Sequence, residues 1–192
     1  MKRHLRIPLF LLISLLNSLA SYASNEMSFH QLGVKTGMSD NYIQAIERDK
    51  YGFMWFATRD GLNRYDGYHF KTYTTLRQGA YNNSVEWVAE DAAGNIWIKT
   101  PVNYCFYDRE MDELDNRTEL LLHKIGIFES PRQLFIDDDK NLWCVADNTL
   151  YYYIFSDETL YKQSLPGSVN IADMACRNKR CYILMTDGNV IN

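Results

Sequence analysis

Cysteine is scarce in this sequence: four residues among 192, at Cys105, Cys144, Cys176 and Cys181. That excludes a disulfide-built scaffold, and the lack of any C-x-x-C pair or Cys/His cluster leaves no zinc pattern. Cys105 and Cys144 fall in apolar, strand-like runs and read as small buried hydrophobes. Cys176 and Cys181 flank a four-residue turn; a hairpin disulfide forms there if the strand register points both side chains to one face. Long apolar runs are also missing. The one candidate, LFLLISLL at residues 9–16, is interrupted by Asn17 and Ser18 and falls short of the roughly 20 residues a membrane span needs. Lys2, Arg3 and Arg6 precede it and Ser21-Tyr22-Ala23 follows, so residues 1–23 read as a secretory signal peptide. Basic charge is in deficit: 20 Lys and Arg stand against 24 Asp and Glu, and removal of Lys2, Arg3 and Arg6 takes the formal charge from −4 to −7. Phosphate-backbone binding needs clustered Lys and Arg, so no nucleic-acid partner is expected. His30, His69 and His123 share no spacing, and Asp137-Asp138-Asp139 is followed by Lys140 without the bidentate Glu of a calcium loop. The triple Asp reads as a solvated turn, and neither a metal nor a cofactor is expected.

What is present is a repeat. Aligned on Trp55, Trp97, Trp143 and, in a degenerate fourth copy, Tyr182, the chain steps by 42, 46 and 39 residues. Asp49, Asp91 and Asp137 each lie six residues before the Trp, and Tyr65, Tyr107 and Tyr153 each lie ten after it. Thr58 matches Thr100, Gly52 matches Gly94, and Gly61 matches Gly188. In the first copy four short strands are expected at about 42–48, 53–58, 62–65 and 69–74. Asp-Lys-Tyr-Gly at 49–52 and the Asp-Gly steps at 60–61 and 66–67 turn the chain between them. Long 3.6-residue periodicity is absent. Residues 111–127 have room for one or two helical turns but read as an irregular outer strand and a connection.

Four antiparallel strands every 40–46 residues identify an all-β fold, a partial β-propeller of four-stranded antiparallel blades, about three and a half of them. A long solenoid or a sandwich is the structural alternative, and a sandwich lacks a four-strand period of this length. Residues 24–40 are the lead-in, with a lone outer strand expected at 29–32. The blades are expected at 41–80, 81–127, 128–167 and, incomplete, 168–192. Trp55, Trp97 and Trp143 would pack between adjacent blades, with Tyr65, Tyr107 and Tyr153 as structural companions. Closed propellers have roughly four to eight blades, so the chain reads as the front of a larger protein whose remaining blades are its partners.

Ligand contacts are expected where loops gather on one face of a rigid scaffold. Arg59 and Asp60 lie between the second and third strands; Tyr81, Asn82 and Asn83 lie in the connection entering the next blade. Aromatic and amide groups suit a sugar. The plainer reading is local: Asp60 caps its own turn and Asn82-Asn83 is a turn pair. No catalytic residue is expected, since a propeller lyase needs a convergent His/Glu or His/Tyr pair.

Three stretches carry a resemblance: GMSDNYI from Gly37, DKYGFMW from Asp49 and TRDGLNRYDG from Thr58. Together they strongly resemble the two-component regulator propeller repeat, nearly unbroken from Gly37 to Tyr73, moderately around Trp97 and Trp143 and weakly around Tyr182. The resemblance implies the periplasmic sensor of a hybrid two-component system. It implies an oligosaccharide ligand, control of glycan-use genes, a homodimer, and a full-length protein anchored in the inner membrane with its histidine kinase outside these residues. A propeller lyase fragment or a truncated, non-functional gene product are the alternatives. Lys140 and Lys179 stand in the Gly52 column, and Ala146 and Met185 in the Thr58 column, so distortion of the later blades is expected.

Overall fold

Short runs of aromatic and branched residues, each closed by an Asp-containing turn, fold as antiparallel hairpins joined end to end. The structure, a computed structural model, describes residues 29–75, 83–166, 171–177 and 180–191. The chain divides into Met1–Gln31 and Leu32–Asn192, and every strand described belongs to the second unit. The first sheet holds β1 (Ile43–Arg48), β2 (Met54–Thr58), β3 (Gly61–Tyr65) and β4 (Phe70–Tyr73). The second holds β5 (Trp87–Glu90), β6 (Ile96–Lys99), β7 (Tyr104–Asp108) and β8 (Glu113–Asp115). The third holds β9 (Pro131–Ile136), β10 (Leu142–Ala146), β11 (Thr149–Ile154) and β12 (Thr159–Ser164). The fourth has three strands, β13 (Ile171–Arg177), β14 (Arg180–Met185) and β15 (Val190–Ile191). Strands neighbour one another in chain order within every sheet.

Both faces of each middle sheet are apolar, and alternation along the second strand divides them. In β6, Ile96 and Ile98 join Trp55, Ala57, Leu62 and Tyr73 in one cluster, while Trp97 points the other way into a cluster with Leu134, Leu142, Cys144 and Tyr153. In β10, Cys144 faces back and Trp143 and Val145 face forward onto Met174, Cys176 and Ile183. Three Trp side chains, nearly without solvent exposure, thus wedge three sheet-to-sheet interfaces. Full burial of a large apolar side chain is worth about 1.5–3 kcal/mol, so a single sheet has no stable solution without its neighbours. Sequential four-stranded sheets stacked this way are the blades of a partial β-propeller. Among the described residues no helix is long and apolar enough to cross a membrane.

Four expectations need correction. No strand forms at 29–32; a strand needs a ladder partner for its backbone groups. Residues 111–127 do contain helix: α1 (Glu119–Leu122) runs into a 3-10 turn at His123–Ile125. Its Leu122, with Ile127 just beyond, fills the space between second and third sheets that the three-residue β8 leaves open. The third blade is not distorted at Lys140, which takes φ 61° where Gly52 and Gly94 take 91° and 90°, and its turn keeps the same hydrogen bond to the leading Asp. Asp137 is buried rather than solvated, because its carboxylate is an internal acceptor. Among the structural Tyr residues, Tyr107 lies 4.8 Å from Trp55 of the preceding blade and Tyr153 shares the Trp97 cluster, while Tyr65 stacks on Phe70 at 4.6 Å.

Cys176 and Cys181 are directly opposed in the β13–β14 register, on one face, and form a disulfide. Cys105 and Cys144 are free and buried, and burial pushes each thiol up to about 12.

Candidate ligand-binding face

The antiparallel order sends the first-to-second and third-to-fourth strand turns to one end of every blade, and the second-to-third loops and inter-blade connections to the other. At the first end the repeat Asp does more than close a turn. One oxygen of Asp49, Asp91 and Asp137 accepts from the backbone N–H four residues on, at 3.0, 2.9 and 2.9 Å. The other accepts the indole N–H six residues on, at 3.0, 2.8 and 2.9 Å. The inter-blade wedge is therefore anchored to its own turn, a link the six-residue spacing carried without revealing. Burial pushes the Asp91 carboxyl above its ordinary range against these hydrogen bonds.

The same end is tied across three blades. Lys140 Nζ lies 2.5 Å from Glu90 Oε2 and 3.6 Å from Glu47, and the Lys50 N–H donates to Glu90 Oε1 at 2.9 Å. Burial raises the Glu47 carboxyl, opposed by the Lys140 charge. A cleft of about 510 Å³ opens nearby, lined by Asn95, Lys124 and Phe155 among others, its outer wall set by the end of the inserted helix.

The opposite end carries Arg59, Asp60 and Asn83. Arg59 lays its guanidinium 3.7 Å over the Tyr42 ring. Asp60 does not cap its turn: the Thr58 hydroxyl does, donating to the Gly61 carbonyl at 2.8 Å and accepting the Asp60 N–H at 3.3 Å. Freed of that task, Asp60 Oδ1 accepts from Asn83 Nδ2 at 2.9 Å, which joins the β2–β3 loop to the connection between blades. Tyr81 and Asn82 lie outside the described residues. Ser39 and Asn63 exchange hydrogen bonds at 3.0 and 2.8 Å and pin the lead-in onto the first blade.

The residues missed from sequence sit one blade further on. A cleft of about 520 Å³ lies between the β6–β7 loop of the second blade and the start of β9, and its lining includes Glu86, Lys99, Asn103, Tyr104, Arg132 and Gln133. Lys99 and Glu86 pair at 3.6 Å. The Tyr104 hydroxyl donates to Gln133 Oε1 at 3.1 Å and accepts the Leu134 N–H at 3.1 Å. Burial pushes this phenol up to about 12, so it stays a neutral hydrogen-bonding group at ordinary pH. The available signal was the repeat itself: Thr100 caps this loop toward Asn103 as Thr58 caps its own, which places residues 100–103 beside Arg59 and Asp60 in the alignment.

Comparison with known proteins supports the repeat reading. Residues 37–60 match the family model described as the two-component regulator propeller. Over 37 residues the chain is 51% identical to histidine kinase P4 of Formosa agariphila, a match that covers 19% of this chain and 3% of that kinase. Among solved structures, the extracellular domain of a protein assigned as a hybrid two-component system of B. thetaiotaomicron is 16% identical, covering 85% of this chain and 31% of that one, with a TM-score of 0.43. Virginiamycin B lyase of Staphylococcus aureus is 14% identical over 81% of this chain and 56% of that one, with a TM-score of 0.45. The chain thus spans a small part of the kinase it matches and about a third of that extracellular domain. Ser39, Asp49, Trp55 and Thr58, which pin the lead-in, the wedge and the loop of the first blade, all fall within the residues that match the two-component regulator propeller model.

Proposed function

We propose that this chain is the N-terminal part of the exported, ligand-sensing propeller of a hybrid two-component signalling protein. It recognises an oligosaccharide and, through the rest of that protein, controls genes for glycan use. The observation that carries the reading is the family match at residues 37–60, which form the end of the lead-in and the first two strands of the first blade. The 51% identity to a histidine kinase over 37 residues supports a signalling context. The cleft between second and third blades supports binding, since paired charges and amides set at a loop-bearing end suit a hydroxyl-rich ligand.

In this reading the sensor lies in the periplasm, the full-length protein is a homodimer anchored in the inner membrane, and phosphotransfer belongs to a kinase outside these residues. The test is a glycan array with the full-length protein, followed by calorimetry. Binding of one related group of oligosaccharides is the expected result, and silence across plant, host and microbial glycans would remove sugar sensing.

A further inference from the structure

The fourth Trp of the sequence has no place in the repeat. Trp87 lies on the innermost strand of the second blade, and pairs with Lys99 in the register that pairs Ala45 with Ala57 in the first. The corresponding inner-strand positions of the third and fourth blades are Gln133, opposite Val145, and Asp173, opposite Leu184. One structural position thus holds Ala, Trp, Gln and Asp in successive blades. The columns that wedge the blades keep one chemistry in the same copies. A position that varies so widely on a constant scaffold is open to a use beyond packing, although Ala45 and Trp87 also rest against the cores beside them.

Three of these four side chains line one cleft. About 360 Å³ in volume, it is bounded by β5, β9 and β13 and includes Trp87, Phe135, Gln133 and Asp173. Glu86, Lys99, Tyr104 and Gln133 also line the cleft described above, so the two share a wall. Trp87 and Phe135 are half-buried, with ring planes 21° from parallel and centroids 6.5 Å apart. A stacked, widely spaced aromatic pair therefore lines the same cleft as several hydrogen-bonding groups. Gln133 has given its carbonyl oxygen to Tyr104, which leaves its amide N–H groups for a ligand. The carboxylate of Glu86 and the amine of Lys99 offer an acceptor and a donor side by side.

From this geometry we propose that Trp87 and Phe135 form the platform of a saccharide subsite, with Glu86, Lys99 and Gln133 bonding the hydroxyls of a neutral sugar ring. The inference rests on the oligosaccharide reading above and places its recognition on the inner strands. A sugar ring has apolar C–H faces and hydroxyls at its rim that both donate and accept. The aromatic faces meet the first, and the mixed acid, base and amide set meets the second. Glu86 and Asp173 outnumber Lys99 in this cleft, which disfavours an anionic ring and leaves a neutral one.

The experiment titrates the full-length protein with the hits from a panel of neutral pento- and hexo-oligosaccharides of two to six units. Trp87→Ala should weaken the best hit at least tenfold and Lys99→Ala by a smaller factor, while Trp87→Phe, which keeps a ring face, should stay within about threefold. Trp87 is half-exposed while Trp55, Trp97 and Trp143 are buried, so the hit should protect wild-type emission from acrylamide quenching more than it protects the emission of Trp87→Phe. That readout stands even if Trp87→Ala fails to fold. Unchanged affinity in a folded Trp87→Ala, or no protection in the wild type, overturns this subsite and leaves sugar sensing intact. An absence of hits across this neutral panel removes the subsite, and only silence that extends to the anionic glycans of the array removes sugar sensing as well.

Discussion

Replacing Asp91 with Ala tests whether the turn anchors the wedge. Asp91 is almost wholly buried and accepts three hydrogen bonds: the Asn95 N–H at 2.9 Å, the Asn95 side-chain amide at 2.7 Å and the Trp97 indole at 2.8 Å. The alanine variant leaves the indole and backbone donors buried without a partner, at about 1–3 kcal/mol each. The half-exposed Asn95 amide can turn to water. Relief of a buried carboxylate offsets part of the loss, so the expected net destabilisation is about 3 kcal/mol. At a urea m-value of about 2 kcal/mol/M this moves the midpoint down by roughly 1.5 M. Tryptophan emission follows the transition. A double-mutant cycle with Trp97→Phe isolates the indole bond, and a coupling of at least about 1 kcal/mol is expected. A loss below about 0.5 kcal/mol, or additive single effects, would refute the claim that this Asp holds the Trp.

Gly61→Ala should be far more damaging than Gly52→Ala by urea denaturation. Gly61 has φ +119° and an added Cβ would stand 2.9 Å from the Tyr73 carbonyl, whereas Gly52 has φ +91° with open space around it and should lose only about 1 kcal/mol. Asp112 gives an acid-side prediction. Slight burial works to raise its carboxyl, but hydrogen bonds from Lys71, Tyr107 and Tyr73 and the charge of Arg64 outweigh that and hold it well below its ordinary range. A depressed folded-state pKa contributes stability above the unfolded value near 4 and loses it as pH falls below; Asp112→Asn should flatten that slope in denaturation midpoints measured from pH 5 to pH 2. Substituting Ser for both Cys176 and Cys181 should remove about 2 kcal/mol, the loop-closure value for so short a ring. Native protein should resist maleimide labelling at pH 8, because Cys105 and Cys144 are buried thiols pushed up to about 12; prompt labelling of either would contradict the packing.

Much of the first blade was legible because its information is local. Asp-x-x-Gly and Asp-Gly set the turns, and strands expected at 53–58 and 62–65 are observed at Met54–Thr58 and Gly61–Tyr65. Where register decides, sequence left alternatives. Cys176 and Cys181 could have faced apart, and only the pairing of β13 with β14 brings them together. The role of Thr58 was hidden because a hydroxyl three residues from a glycine has many uses until the loop is folded. Lys140 in a glycine column suggested distortion, yet its left-handed backbone penalty of about 1–2 kcal/mol is set against ion pairs to Glu90 and Glu47 from two other blades.

The sequence by itself determined the blade period, the turns and the apolar wedge columns, because these answer to contacts within one hairpin or to a side chain's need for burial. The tertiary structure alone decided which side chains meet across blades. Trp87, Gln133 and Asp173 are 40 or more residues apart in the chain and share a cleft because antiparallel register repeats at the same inner-strand position in successive sheets.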